Sequence, residues 1–346
     1  MNKSHKIFLI SVLILVFIIP STYAMDNKTC DVIELEDAQS AVSIDDKEVL
    51  AANNDYYFNS SLDHDDGDGS SQNPYKYLTT DRIKGYCNIH LADGEYVLDG
   101  AKTIEKVSII GSNPQKTIIK YDGVGFNVNS YLALTNLTLI DVSIANHGTV
   151  NATNSIFNYG YGNKADNYGN NYGGAIYTSD LNTDSRVTIE NCTFKDCYAV
   201  YGGAIYMGAG YLSISNSQFI NNYAYNFGGA IACENTENIT ISKTRFINDY
   251  SIDDAGGAVY VKSSPLNIQR SDFINCSATF GGAFTALNSD VKLNFINAYN
   301  NSARWDGGAV YHMYGKFFST YGKFINNTAR NGGRSEEHTS ELQSPQ

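Results

Sequence analysis

Pairs of adjacent glycines recur along the chain at a nearly constant interval. Successive pairs are separated by 29, 26, 28, 25, 26 and 25 residues. A repeat of this length is typical of stacked-repeat proteins, in which each unit packs only against its neighbours. The pairs are Gly173–Gly174, Gly202–Gly203, Gly228–Gly229, Gly256–Gly257, Gly281–Gly282, Gly307–Gly308 and Gly332–Gly333.

Two further elements recur in phase with the glycines. Every pair before the last is followed by Ala and then by an apolar residue, as in Gly202-Gly203-Ala204-Ile205. An aromatic residue precedes each pair from the second onward by eight to ten positions, at Phe194, Phe219, Phe246, Phe273, Tyr299 and Phe324. Apolar residues stand seven and five positions before the first four of these aromatics, at Val187 and Ile189, Leu212 and Ile214, Ile239 and Ile241, and Leu266 and Ile268. A spacing of two predicts strands with one buried face.

A unit of about 26 residues with two or three strands has the length of one coil of a β-helix. A β-propeller blade needs about 40 residues, and a leucine-rich repeat needs a leucine-dominated pattern that is absent. The sequence therefore predicts an all-β protein, a right-handed single-stranded parallel β-helix in which each strand pairs with its copy in the next coil.

Stacking gives the recurrent residues a physical role. Ile and Phe are expected to form interior ladders, and Gly is expected to permit a tight corner. Asn is expected to form amide ladders or left-handed turns at Asn221, Asn248, Asn275, Asn301 and Asn326. Cys197 and Cys276 fall at the same coil position three coils apart, which is too far for a disulfide.

Composition excludes some functions. The chain has a formal net charge of −12, which disfavours nucleic-acid binding because phosphate recognition needs basic patches. Its six cysteines form neither a CxxC pair nor a recognisable disulfide framework, so we expect buried thiols.

The chain ends differ from the repeats. Residues 1–24 read as a cleaved signal peptide with a short apolar run, so export to the cell surface or medium is expected. Residues 25–54 are acidic and predicted to be disordered, residues 55–130 are predicted to form an N-terminal cap and first coils, and residues 131–333 the repeats. Residues 334–346 read as a translated sequencing adapter, so the β-helix is expected to be truncated at its C-terminus and to have its membrane or cell-wall attachment in a missing region.

The repeats resemble known surface proteins. The GGAI and FxN motifs of residues 173–333 resemble the repeats of chlamydial polymorphic outer membrane proteins. Residues 1–333 resemble the adhesin-like surface proteins of methanogenic archaea, and the stretches Asp66–Pro74 and Leu91–Tyr96 resemble the first turns of pectin-lyase-like β-helices. The resemblance implies cell-surface display and attachment to host or microbial glycans or proteins.

An enzymatic alternative follows from the same fold, which also carries polysaccharide lyases and glycoside hydrolases. Asp253 and Asp254 are adjacent, and hydrolysis needs two carboxylates that flank one bond, so we interpret them as turn residues. No acidic or basic position recurs on several neighbouring coils, and we predict neither catalytic residues nor a cofactor. Asp63, Asp65, Asp66 and Asp68 are weak candidates for calcium ligands, with a solvated acidic turn as the favoured interpretation.

Ligand-binding candidates lie in an insertion rich in Tyr, Gly and Asn. The insertion spans residues 158–172 and contains Tyr159, Tyr161, Tyr168 and Tyr172, which suit a glycan-binding surface; a mobile loop is the alternative. The aromatics just before the glycine pairs are expected to stack as a structural ladder, with a binding strip as the alternative: Tyr172, Tyr201, Phe227, Phe280 and Trp305. The favoured function is an adhesin or surface-layer module, and a passive stalk is a third possibility.

Overall fold

The computed structural model describes residues 54–161, 171–179 and 183–332. The predicted signal peptide, nearly all of the predicted disordered segment, Tyr168 and residues 334–346 lie outside the described residues. Among those that are described, no helix is long and apolar enough to cross a membrane.

The described elements are β-strands. The first eight are β1 Asp55–Phe58, β2 Cys87–Leu91, β3 Gly94–Val97, β4 Lys102–Gly111, β5 Thr117–Thr135, β6 Thr138–Asn146, β7 Thr149–Thr153 and β8 Ile156–Asn158. The next eight are β9 Ile176–Thr178, β10 Arg186–Glu190, β11 Thr193–Lys195, β12 Tyr198–Tyr201, β13 Ile205–Met207, β14 Tyr211–Ser215, β15 Gln218–Ile220 and β16 Tyr223–Phe227.

The later coils continue with short strands. These are β17 Ile231–Glu234, β18 Asn238–Ser242, β19 Arg245–Ile247, β20 Tyr250–Ser251, β21 Val259–Lys262, β22 Leu266–Gln269, β23 Asp272–Ile274 and β24 Ser277–Phe280. The last are β25 Phe284–Leu287, β26 Val291–Asn294, β27 Asn297–Tyr299, β28 Ser302–Asp306, β29 Val310–Met313, β30 Phe317–Thr320 and β31 Lys323–Ile325.

Each full coil contains four strands that pair in parallel with their copies in adjacent coils. For example, β10 pairs with β14 and β11 pairs with β15. The strands β12, β16, β20, β24 and β28 form a separate sheet, called here the small sheet. The fold is thus a right-handed parallel β-helix, as the repeat predicted. The expectation of two or three strands per coil was wrong, because strands of two to five residues are too short to show a periodicity.

The interior consists of ladders of like residues. Val187, Leu212 and Ile239 are aligned in register, and so are Ile189, Ile214 and Ile241. The aligned aromatics Phe157, Phe194, Phe219, Phe246 and Phe273 are fully buried. These columns confirm the predicted interior ladders.

The aromatic column is interrupted after Phe273. Its partner in the next coil is Ala298, whereas Tyr299 aligns with Ile274, so the assignment of Tyr299 to this column was wrong by one residue. Phe284 stands where other coils have Ile or Val, and its ring lies 5.9 Å from that of Phe273. Phe284 therefore compensates for the volume that Ala298 leaves.

The glycine pairs form the corner before the Ala-Ile strand. The first glycine has a left-handed backbone, with φ of +62° at Gly202 and +65° at Gly228. A Cβ atom on the second, Gly203, would overlap the carbonyl oxygen of Gly229 in the next coil. One glycine is therefore required by its φ angle and the other by close contact between coils.

Asparagines occupy a second corner in the left-handed conformation. Asn248 donates a hydrogen bond from Nδ2 to Oδ1 of Asn221 at 3.1 Å, and Asn275 donates one to Asn248 at 3.3 Å. This confirms the predicted amide ladder. In one coil, however, the left-handed residue is Asn300, with φ of +56°, and the predicted Asn301 is fully buried.

Asn301 belongs to an inner polar file, one residue after the left-handed corner. The file consists of Cys197, Asn222, Asp249, Cys276, Asn301 and Asn327. It confirms that Cys197 and Cys276 stand three coils apart. The five described cysteines, Cys87, Cys192, Cys197, Cys233 and Cys276, are free and buried, as expected of structural thiols.

The first coils join the repeats without a break. The strand β2 pairs with β4, and β4 pairs with β5. The boundary placed between residues 130 and 131 lies inside β5, so one continuous stack includes both segments.

Candidate functional site

A row of tyrosines runs along the outer surface of the small sheet. Tyr198, Tyr223 and Tyr250 are aligned on consecutive strands of that sheet. Tyr161, from the preceding coil, extends the row, and its ring centroid lies 5.1 Å from that of Tyr198. The four residues are called here the tyrosine row.

Ring contacts between coils, tilted for two pairs and stacked for Tyr223 and Tyr250, hold these rings in place. The centroids of Tyr198 and Tyr223 are 4.6 Å apart, and those of Tyr223 and Tyr250 are 5.2 Å apart with an interplanar angle of 6°. The residue after each tyrosine is small and buried, at Ala199, Ala224 and Ser251. Because side chains alternate along a strand, the tyrosines point outward and are fixed by each other.

The row presents hydroxyl groups on an apolar base. Burial raises the pKa of Tyr198 and Tyr223, so their hydroxyls remain protonated hydrogen-bond donors at neutral pH. Tyr225 lies beside the row, 46% exposed, and donates a hydrogen bond to Asp253 that raises the pKa of the tyrosine. A surface with aromatic edges, hydroxyls and a carboxylate can bind a polyhydroxylated ligand.

The row ends where the aligned position changes from Tyr to Ser. Ser277 follows Tyr250 in register, and Ser302 follows Ser277. A serine side chain is too short to cover an aromatic ring, and Tyr250, which is 37% exposed, stacks on Tyr223 and has no ring contact on the side of Ser277 among the described residues. The row therefore has an accessible ring face at this end.

The predicted tyrosines of the insertion separate in the structure. Tyr159 is 52% exposed and has a left-handed backbone, and Tyr161 joins the tyrosine row. Tyr172 does not join it, and Tyr168 lies outside the described residues.

Tyr172 instead belongs to the aromatic ladder expected before the glycine pairs. Its ring stacks on that of Tyr201 at 5.0 Å, and Tyr201 stacks on Phe227 at 5.7 Å. The ring of Phe227 stacks in turn on that of Tyr260, with the ring centroids 4.5 Å apart. The structural ladder is thus confirmed for these residues, and it packs with Tyr177 and Tyr206 in a second apolar cluster.

The C-terminal part of that ladder was predicted wrongly. Ala255 occupies the position between Phe227 and Phe280, which leaves Phe280 to contact Tyr311 at 5.4 Å. Trp305 is 42% exposed and lies under the guanidinium of Arg330 at 4.8 Å. A register shift in the pairing of β24 with β28 aligns Phe280 with Asp306, which removes Trp305 from the ladder.

Sequence reasoning missed Tyr198, Tyr223, Tyr225 and Tyr250. The first, second and fourth stand four residues after Phe194, Phe219 and Phe246. That recurrent spacing was the available signal for the row. The strand that carries these tyrosines was not recognised, because two to five residues do not define a periodicity.

Two of the four acidic residues considered for calcium, Asp65 and Asp68, have side-chain partners in the first coils. Asp65 accepts two hydrogen bonds from Nη1 of Arg82 at 2.9 Å, which lower the pKa of the carboxyl group. Asp68 accepts a hydrogen bond from the backbone N–H of Ser70 at 2.9 Å, which lowers its pKa. No three His, Cys, Asp or Glu side chains converge as metal ligands in the part of the chain that the structure describes.

The adjacent pair Asp253 and Asp254 lies in the turn after β20, as expected. Burial raises the pKa of Asp254, with a smaller contribution from the negative charge of Asp253. The main-chain carbonyl of Asp254 accepts a hydrogen bond from the N–H of Thr279 at 2.7 Å. The pair thus adds negative charge at the edge of the tyrosine row.

A shallow cleft of about 450 Å³ lies at the first coils. Tyr57 and His90 stack in its wall at 4.6 Å, and Nε2 of His90 lies 3.0 Å from Oδ1 of Asp55. The hydrogen bond with His90, together with one from Asn88, lowers the pKa of Asp55. The imidazole of His90 in this wall is therefore already in contact with Tyr57 and Asp55.

Comparison with known proteins gives one family match. Residues 216–234 match the Chlamydia polymorphic membrane protein repeat, and this segment includes Phe219 and the Gly228-Gly229-Ala230-Ile231 corner. The protein thus contains a repeat of this type within a parallel β-helix. No curated protein matches the chain.

Two solved structures show a distant likeness. The A-module of mannuronan C-5 epimerase AlgE6 from Azotobacter vinelandii is 11% identical, with a TM-score of 0.25, over 71% of this chain and 82% of the other. The A-module of the AlgE4 epimerase from the same organism is 9% identical, with a TM-score of 0.21, over 68% and 90%.

Proposed function

We propose that this protein is a surface-displayed binding protein of the adhesin type, which attaches to glycans through the tyrosine row and catalyses no reaction. The observation that carries the proposal is the row itself. Four tyrosines on consecutive coils present partly exposed rings and hydroxyls on an outer surface. The purely structural role of stacking coils is already served by the buried phenylalanine column.

The rigidity of the row supports a binding role. Tyr198 and Tyr223 are each held between two rings, and Tyr161 and Tyr250 each contact one ring of the row, so little side-chain entropy is lost when a ligand binds. The open face of Tyr250 and the carboxylate of Asp253 provide an apolar contact and a hydrogen-bond acceptor for a sugar. Surface display is supported by the repeat of the polymorphic membrane protein type in residues 216–234.

The test replaces tyrosines by the residue that the fold itself uses at the same position. Tyr223→Ser combined with Tyr250→Ser copies Ser277 and Ser302, so the coil should still form. Wild type and variant are compared on a glycan array, followed by titration calorimetry with the best neutral oligosaccharide. We expect a loss of affinity of about tenfold or more, because each buried aromatic contact contributes about 0.5–1.5 kcal/mol or more.

The matched control is Tyr77→Ser, which removes a tyrosine that is 54% exposed in the first coils. It should bind like wild type. Equal binding by the double variant would contradict the role of the row. Release of reducing or unsaturated ends from any bound polysaccharide would show an enzyme in place of a binder.

A further inference from the structure

One corner of the β-helix carries a different type of residue in the last four coils that the structure describes. The corner joins the Val-Ile strand to the Phe strand, and in earlier coils it carries Asn191 and Asn216. Backbone hydrogen bonds from Lys243 to Gln269, from Arg270 to Asn294 and from Phe295 to Thr320 show that the next occupants stack in register. Four successive coils thus place Lys243, Arg270, Phe295 and Tyr321 where the preceding two have asparagine.

These side chains occupy a backbone conformation that does not suit them. The φ angles are +48° for Lys243, +50° for Arg270, +55° for Phe295 and +53° for Tyr321. The left-handed region favours Gly and Asn, and bulky residues held there commonly mark functional sites. The local structure therefore gains nothing from the change away from asparagine.

The two aromatics do not serve the core. Phe295 is 44% exposed and Tyr321 is 66% exposed. Their rings stack on each other with centroids 4.8 Å apart and an interplanar angle of 10°. The strained, stacked and solvent-exposed rings of Phe295 and Tyr321 are therefore available to contact a ligand.

Cations lie on the same coil as Phe295 and on the two coils before it. Lys243, Arg270 and Lys292 are exposed, and among the described residues no acidic side chain forms an ion pair with any of them. The exposed Phe318 aligns with Lys292 in the next coil. The nearby Asp272 forms an ion pair with Arg245, at 3.8 Å. The basic corner is defined here as Lys243, Arg270, Lys292, Phe295, Phe318 and Tyr321.

A basic surface is unexpected on a chain with a net charge of −12. We propose that the basic corner binds an acidic polysaccharide, with its carboxylates on the Lys and Arg side chains and its sugar rings on Phe295, Tyr321 and Phe318. This site is separate from the tyrosine row, because it lies on strands outside the small sheet and on the corner that connects them.

The spacing of the cations favours a polysaccharide over nucleic acid. Lys243 and Arg270 lie one coil apart, which is about 4.8 Å. Duplex DNA carries one negative charge per about 1.7 Å of its axis, and a protein with a large negative charge repels such a dense polyanion. A uronic-acid polymer carries one carboxylate per sugar, which is a charge density that the corner can match.

Calorimetric titration of the full chain with an oligogalacturonate tests the proposal. We expect binding that weakens as salt is raised, because exposed charges are screened. Lys243→Asn with Arg270→Asn restores the asparagines of the earlier coils and should lower the affinity by about tenfold or more. Phe295→Asn with Tyr321→Asn should also weaken binding, but without changing its salt dependence.

The matched control is Lys84→Asn with Lys106→Asn, which changes the net charge equally in the first coils. It should retain wild-type affinity. The proposal fails if wild type does not bind, if the control loses as much affinity as the corner variant, or if single-stranded DNA binds more tightly than the oligouronate at the same salt concentration.

Discussion

At the scale of single residues, Asp249 is the most unusual group of the interior. It is fully buried in the inner polar file, and Oδ1 accepts hydrogen bonds from the backbone N–H and Nδ2 of Asn222 at 2.8 and 2.9 Å. Its Oδ2 atom has no partner. Burial raises the pKa of this carboxyl group to about 8, so it is protonated at neutral pH.

Asparagines at the same position show what Asp249 lacks. Nδ2 of Asn222 donates to the carbonyl of Phe194 at 3.1 Å, and Nδ2 of Asn301 donates to that of Phe273 at 3.0 Å. For Asp249, the corresponding acceptor is the carbonyl of Phe219, which aligns with Phe194. A neutral acid or an amide is therefore suited to this place, and a carboxylate is not.

We predict that Asp249→Asn stabilises the protein in a pH-dependent way. The folded pKa of about 8 lies above the unfolded value, so wild-type stability falls as pH rises from about 4 to about 8. The gain of the variant should be near zero at pH 4 and up to about 4 kcal/mol at pH 7, at 1.36 kcal/mol per pKa unit. Urea denaturation of both proteins at several pH values measures it, and a gain independent of pH would contradict the protonated state.

At the scale of elements, the phenylalanine column is the main contact between coils on the Phe strands. The ring centroids from Phe157 to Phe273 are separated by 4.4 to 5.1 Å, with interplanar angles of 2° to 14°. This spacing is the distance between parallel strands. Stacking and backbone pairing thus reinforce the same register.

Removal of one ring from the middle of the column should be costly. Phe219→Ala creates a cavity between Phe194 and Phe246, and such changes typically cost about 3–5 kcal/mol. Phe219→Leu should cost less, because it retains most of the volume. Chemical denaturation measures both, and Tyr77→Ala at an exposed site should remain within about 0.5 kcal/mol of wild type. A small effect of Phe219→Ala would mean that the neighbouring coils close the gap.

At the scale of the described coils, the stack distributes its buried thiols over its length. Cys87 lies in the first coils, Cys192 and Cys197 lie in one later coil, and Cys233 and Cys276 follow. Burial raises the pKa of Cys192 and of Cys197 to about 12. Reaction with an electrophile needs the thiolate and access, so each thiol reports the opening of its own coil.

We predict that these five thiols are unreactive in the folded protein. With a water-soluble thiol reagent and site-resolved mass spectrometry, modification should follow the unfolding transition, because a coil is stabilised mainly by its neighbours. Modification of all five at one denaturant concentration indicates a single cooperative unit. Rapid modification of Cys197 or Cys276 in native buffer would contradict their burial.

Several features of this protein could be derived from its sequence. The glycine period of about 26 residues determines the coil, since each coil must return the chain to the same position. The apolar pairs and phenylalanines then determine which positions face inward, because side chains alternate along strands. The amide ladder and the separation of Cys197 from Cys276 follow from stacking alone.

Other features were decided only by the tertiary structure. A register shift between β24 and β28 excludes Trp305 from its ladder, and the pairing of β23 with β27 places Ala298 in the aromatic column. Which residues align between coils is set by strand pairing, and a displacement of one residue is hard to read from an approximate repeat. The tyrosine row and the basic corner each bring together residues of successive coils, which are mostly about 26 positions apart in the sequence. The burial of Asp249 also depends on its neighbours, because what surrounds a side chain on adjacent coils is set by packing between coils and not by the local sequence.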